Sequence, residues 1–316
     1  MQIVLPGALP DPQEARELTS YLPKTAPTLL RWLEQGRART IAADPARAGC
    51  TPYEQWQLAA RGFHPNEGQN LSAGLGPLLA DSAIADGDPV WLVELVHVSP
   101  SRDGATLIPA CELAITPEQS VALFESAQGL FADTGFSLSP SGVAHWRIAL
   151  PPDFAPLGAS PTMVSISAVN DWWPQDITAR PWRRLVNELQ MLWFEHPVNQ
   201  ARYQQGLLPI NSLWLFGGAS RQQFHGNSHA SLVRESVRAH DDLFASSITR
   251  DWGGWLAALA RLEADVFLPL AQGRAPDLVL TGTDRIVEIM PSTMQRWTRW
   301  LPGSHQAWRK WWSPQN

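Results

Sequence analysis

The chain of 316 residues has only two cysteines, Cys50 and Cys111. Two well-separated thiols build neither a disulfide framework nor a zinc site. They read as small buried hydrophobes in a reducing compartment. No apolar run approaches the roughly 20 residues that span a bilayer, so no transmembrane segment is expected. Basic residues are in deficit: 24 Lys and Arg stand against 30 Asp and Glu, a formal net charge of −6. Nucleic-acid affinity comes from phosphate neutralisation, so general nucleic-acid binding is not expected. The first residues, MQIVLPGALPDPQEARE, have neither a basic region nor a sustained apolar core. They do not read as a secretory signal, and the expected location is cytoplasmic. Internal repeats and low-complexity tracts are absent.

Apolar residues make up 44% of the chain and charged residues 17%, the balance of a folded protein with a core. The length suggests about two domains at roughly 150 residues each. Sixteen tryptophans are the compositional oddity. Each offers a large apolar area and one N–H to satisfy, which suits packed cores and interfaces alike.

The patterning predicts alternating strands and helices. QIVL at 2–5 reads as a strand ended by Pro6-Gly7. Residues 27–36 and 52–62 read as helices opened by proline and closed by glycine. A β-rich run spans 86–98. The helix predicted over 115–135 has Thr116 as N-cap, Pro117 at the first position and Gln119 placed for a capping box. VAHWRIAL at 143–150 reads as a strand and RPWRRLVNELQMLWFEHP at 180–197 as a long helix. INSLWLF is a strand that runs into Gly217-Gly218. Residues 253–270 carry an apolar helical face and 277–284 read as a short buried strand. Strands and helices alternate at both ends of the chain, and the middle mixes the two, so the expected fold class is α/β with an α+β insertion.

Several segments, in order, resemble the archaeal-type cofactor-independent phosphoglycerate mutases of the alkaline phosphatase superfamily. TAPTLLRWLEQGR is similar to that family's early helix, and TPYEQWQLAARGFHPNE to its nucleophile segment. GLGPLLADSAIADGDPVWLVELVHV resembles the step into its cap domain, and WWPQDITAR its Pro-Pro-His-Asp-Ile-Thr turn. HPVNQARYQQGLLPINSLWLFGGA is similar to its His-Pro-Val-Asn to Trp-x-Trp-Gly run. The resemblance spans most of residues 1–220. The bacterial proteins labelled "regulatory protein, RpfE type" form a narrower group of the same kind. The resemblance implies an alkaline-phosphatase-like α/β core, 1–88 with 206–316, whose mixed central sheet is flanked by helices. An α+β cap, 89–205, would be inserted into it.

Enzymes of that family move phosphate through a serine alkoxide held between two divalent metals such as Mn or Zn, which needs a hydroxyl and a set of Asp and His ligands. This sequence departs from the pattern. The Asp-Gly at the end of the family's first strand has no counterpart in LPGALPDP, where Asp11 lies well beyond the strand. Glu54 stands at the family's serine position, and the nearest hydroxyl, Thr51, is offset by three residues. Asp284 is followed by Arg285, which brings a positive charge where a cation would sit. His225 and His229 have the i, i+4 spacing of helical metal ligands, but Gly226 and Asn227 between them argue for a solvated loop. Glu54, Asp176 and Asp284 read either as an acid/base cluster or as three separate polar residues, with Asp176 at a helix entry.

The retained residues are Arg180, Asn199, Arg202, Asn211, Trp214 and Gly217. With Arg183 and Arg184, the arginines can form a pocket for a phosphorylated or anionic small molecule, or a hinge held by contacts to backbone and acids. From 285 to 316 there are five basic residues (Arg285, Arg296, Arg299, Arg309, Lys310) and one acid, Glu288. Mixed with tryptophan, they read either as a tail packed on the core with snorkelling arginines or as a surface for a protein partner or membrane. The favoured expectation is a degenerate family member without metal or cofactor that binds or regulates. The alternatives are an active phosphoryl-transfer enzyme with a rearranged site, and an interaction module built on the Trp/Arg tail.

Overall fold

The computed structural model describes residues 1–80, 87–102, 104–225, 237–291 and 307–314. Ten strands lie among them: β1 (Gln2–Leu5), β2 (Gly36–Ala42), β3 (Val90–Ser101), β4 (Gly104–Ile108), β5 (Ser137–Pro140), β6 (His145–Ala149), β7 (Ser212–Ala219), β8 (Val237–Ala239), β9 (Asp277–Thr281) and β10 (Arg285–Pro291). They form two sheets. The chain divides into two compact units, Met1–Pro45 with Asn227–Asn316, and Ala46–Gly226. The fold is mixed α/β, with a mixed sheet flanked by helices in the first unit. Residues 46–88 and 206–226, expected with the core, fall in the second unit, because β7 pairs along β3.

In the first unit the strand order is β2-β10-β9-β1-β8. β1 runs parallel to β8 and β9, and β10 is antiparallel to β9 and β2. Ile3, Val4 and Leu5 are fully buried, as a continuous apolar run in a covered central strand requires. Gly7 then turns the chain at φ +74°, where a Cβ would lie 2.8 Å from Phe244 Cα. Leu29, Trp32 and Leu33 from helix Pro27–Gln35, and Trp255, Leu259 and Leu262 from helix Trp252–Leu262, pack with Leu278, Leu280 and Val287. Ala26 offers helix Pro27–Gln35 no side-chain cap. The buried carboxylate of Glu263 replaces it, accepting from Thr28 N (2.9 Å) and Leu29 N (3.3 Å).

β2 has no apolar periodicity, and its sequence GRARTIA gives no strand signal. It forms by antiparallel register with β10, and the exposed Arg39 reaches Glu288 at 3.7 Å. The described part of the tail packs inward: Trp308 and Trp312 are buried, and Trp312 Nε1 donates to Ala15 O at 3.1 Å. Arg296, Trp297, Arg299 and Trp300 lie outside the described residues.

In the second unit the long strand β3 lies between β6 and β7, with β5 beyond β6 and β4 paired to the far half of β3. All these pairings are antiparallel. The sheet alternates as such pairings require. Leu92 and Phe216 face a cluster with Cys50, Leu58, Phe63 and Leu75. Val93, Leu95, Trp146 and Leu215 face helices Pro117–Phe131 and Arg180–Phe194. The expected capping box is present: Thr116 Oγ1 accepts from Gln119 N, and Gln119 Oε1 from Thr116 N. Cys50 is buried, whereas Cys111 is exposed on the surface turn Ala110–Glu112.

Replacing Trp312 by Ala is expected to destabilise the protein by about 3–5 kcal/mol. Replacing the exposed Met191 by Ala should stay within about 0.5 kcal/mol. Urea unfolding of the two variants checks this, and equal midpoints would show that the tail lies outside the core.

Candidate functional site

Parallel strands gather their loop residues at one sheet edge, and the edge beyond the strand C-termini is where open α/β sheets hold ligands. In the first unit, β1, β8 and β9 end together there. Leu9 N donates to Thr281 O (3.1 Å), which keeps the segment leading to Asp11 beside β9. Asp11, Thr283, Asp284 and His240 therefore follow strands that end at this edge.

The acids are already engaged. Asp11 Oδ1 accepts from Thr283 Oγ1 (2.9 Å) and Oδ2 from Arg250 Nη2 (3.1 Å). Arg250 Nη1 also lies 3.9 Å from Glu14. Asp284 Oδ1 accepts from Arg285 Nη1 at 2.6 Å. Arg285 is buried, and its Nη2 donates to Pro10 O (3.0 Å) and Trp312 O (3.1 Å). Among the described residues, no group of three or more His, Cys, Asp or Glu side chains is placed to hold a metal ion. A cation centre needs carboxylates with lone pairs to spare and no competing positive charge. Asp11 and Asp284 each carry a guanidinium instead, so the described residues at this edge do not fit a two-metal centre.

Glu54 belongs to the second unit and does structural work. Its Oε2 accepts from Thr51 N (2.7 Å), Thr51 Oγ1 (2.9 Å) and Ser160 Oγ (2.7 Å). Thr51 caps helix Pro52–Ala59 in a capping box, and Ser160 caps helix Pro161–Ser165. One carboxylate thus joins two helix N-termini, where negative charge is favoured. Burial pushes its carboxyl up, against the lowering by hydrogen bonds from Ser160 and Thr51, and the charge of Glu94 raises it further. The Thr-Pro-Tyr-Glu spacing at 51–54 already carries the capping-box signature. Burial also raises the neighbouring Cys50 thiol, which disfavours a reactive thiolate.

A second buried acid was missed from sequence. Glu94 stands in the apolar run VWLVELVHV, and a charge in such a run needs a partner. Its Oε1 accepts from Ala110 N (2.8 Å), and its Oε2 pairs with His145 Nε2 (2.8 Å).

The polar residues of the cap-return segment are placed one by one. Arg202 is buried and donates to Leu208 O (2.7 Å), Gln119 Oε1 (2.8 Å) and Leu113 O (2.6 Å). Arg183 donates to Pro174 O and Asp176 O, each at 2.8 Å. Arg184 is exposed and pairs with Glu188 (2.7 Å), and Arg180 is exposed. Among the described residues, Arg183, Arg184 and Arg202 share no hydrogen-bond partner. Asn199 bonds Trp193 O and Ile210 N and O. Asn211 brackets Val98 through N and O, and Trp214 Nε1 donates to Ala159 O (2.9 Å). Asp176 accepts from Thr178 Oγ1 and Ala179 N just before helix Arg180–Phe194, which is helix entry. His225 lies beside His64, with ring centroids 5.8 Å apart, while His229 lies outside the described residues.

No protein-family model matches the chain. Residues of this chain are weakly similar to a probable 2,3-bisphosphoglycerate-independent phosphoglycerate mutase of Geobacter sulfurreducens, 25% identical over 164 residues. That match covers 51% of this chain and 40% of the relative, so it spans well under two thirds of that protein. Among solved structures, a protein from Pyrococcus horikoshii is similar at TM-score 0.48 and 13% identity, covering 92% of this chain and 86% of that one. The cofactor-independent phosphoglycerate mutase of Thermoplasma acidophilum is similar at TM-score 0.33 and 13% identity, covering 92% and 90%. Both scores are too low to carry an argument about this chain.

Because the folded state holds the Glu54 proton more tightly than the unfolded chain does, stability from this group is full below the ordinary carboxylate pKa. It is lost as pH rises through the raised value. Glu54→Gln keeps a capping-box acceptor and removes the titration. Its stability should therefore change less than that of the unsubstituted protein between mildly acidic and mildly alkaline buffer, measured by urea midpoints. Parallel pH profiles would contradict the burial effect.

Proposed function

We propose that the chain is a degenerate phosphoglycerate-mutase-like protein on an alkaline-phosphatase-like core, of the RpfE-type regulatory kind. In this reading it has given up two-metal phosphoryl transfer and acts by binding or regulation. One observation carries the reading: the two acids at the sheet edge, Asp11 and Asp284, hold Arg250 and Arg285. A guanidinium satisfies a carboxylate as a metal would but supplies neither a Lewis acid nor an activated nucleophile. Glu54, at the serine position of the resemblance, supports it, because its bonding oxygen is committed to Thr51 and Ser160.

A rearranged, active site has one point in its favour. His240, Asp241 and Asp242 follow β8 at the same edge, and His240 Nε2 is buried with no hydrogen-bond partner among the described residues.

The two readings separate on purified protein. After exposure to excess Mn or Zn and desalting, the expected outcome is less than stoichiometric metal and no turnover of 3-phosphoglycerate or p-nitrophenyl phosphate above the buffer rate. Stoichiometric metal together with turnover would overturn the proposal.

A further inference from the structure

The second unit contains a cleft of about 690 Å³ that none of the sequence-derived candidates explains apart from Gly217. Its size falls within the range of small-ligand sites, about 300–1,000 Å³. Arg147 on β6 reaches into its lining. Register sets Ser139 opposite Arg147 and Ser137 opposite Ala149, and cross-strand partners share a sheet face. The guanidinium thus has two hydroxyls beside it on one face. Arg147 is half-buried and, among the described residues, has no hydrogen-bond or ion-pair partner. Arg183 and Arg202 donate to protein groups, and Arg285 keeps both terminal nitrogens on protein groups, with only its buried Nε lacking a partner among the described residues. A planar fork of donors left open in a concave site matches a carboxylate.

The wall is preformed. Gly217 and Gly218 have φ of +99° and +107°. A Cβ on Gly218 would come within 2.4 Å of the Trp91 ring, and one on Gly217 within 2.6 Å of Val90 O. Gly218 therefore leaves room for the Trp91 indole, which lines the cleft, and Gly217 for the close approach of Val90. Phe154 and Leu157 add apolar surface, and prolines 151, 152 and 156 stiffen the segment that carries them.

Charge narrows the occupant. Besides Arg147, the charged lining among the described residues consists of the exposed acids Glu67 and Asp88. One positive and two negative groups disfavour a dianionic phosphate and favour a ligand that carries both a carboxylate and an ammonium group. We infer that this cleft binds an amino-acid-like zwitterion, a short peptide with a free C-terminal carboxylate on Arg147 and its amine toward Glu67 and Asp88. The inference rests on the reading above only in treating the chain as a binding protein, and its test reads neither metal nor turnover.

Calorimetric titration of the full chain with pooled glycyl dipeptides of apolar, polar and charged second residues is expected to detect binding. The C-terminally amidated pools should bind at least about tenfold more weakly, the loss of one charge-assisted interaction. Arg147→Met should lose a similar factor, and Arg147→Lys should recover part of it. Inorganic phosphate should give no saturable heat. Equal affinity for acid and amide pools, no binding by any pool at millimolar concentration, or phosphate binding as tightly as peptide would each overturn the assignment. The acid-amide comparison uses the unsubstituted protein, so it stands even if a variant fails to fold.

Discussion

A buried guanidinium is costly unless its donors are met, because it cannot shed its proton. Arg285 is such a group in the first unit, met at both terminal nitrogens while its Nε has no partner among the described residues. Its two terminal nitrogens hold Asp284 in the turn just before β10, Pro10 after β1, and Trp312. Two segments distant in sequence are thereby tied to the start of β10 by one planar fork. Trp312 in turn places its indole against Ala15 and beside Trp255, so the ion pair and the apolar core support each other. The same group also holds the carboxylate of Asp284 at the sheet edge.

The second unit follows the same rule with other residues. Glu54 is met by two helix caps, Glu94 by His145 and a backbone N–H, and Arg202 by two carbonyls and Gln119. Net gains from such buried polar groups are small, but removing one partner is expensive. They therefore specify one arrangement more than they add stability. Against that background Arg147 is distinct, because the serines opposite it lie on its own sheet face and, with no hydrogen-bond partner among the described residues, it lines a cleft.

Much of the fold was legible in the chain itself. QIVL, the capping box at Thr116, the proline-opened helices and INSLWLF all declare themselves through local pattern, since burial on both faces, N-cap bonding and the proline ring act within a few residues. β2 was not legible. GRARTIA contains no apolar stripe and becomes a strand only because β10 offers it a ladder. Nor could the cap of helix Pro27–Gln35 be foreseen, since its acceptor is Glu263, more than two hundred residues away.

The sequence by itself determined the order of most elements, the capping box at Thr116 and the carboxylate at position 54 three residues after a Thr N-cap. These are properties of residue identity and spacing, which no packing can alter. The tertiary structure alone decided which arginines are spent and which is open. Arg180, Arg183, Arg184 and Arg202 looked equivalent as cations in a row. A guanidinium's role depends on the carbonyls and carboxylates within reach of its five N–H groups, and those come from distant strands and turns. Gly217-Gly218 was settled in the same way: Gly218 is required by the Trp91 ring and Gly217 by the close approach of Val90 O and Gly76, contacts with distant segments that local sequence does not encode.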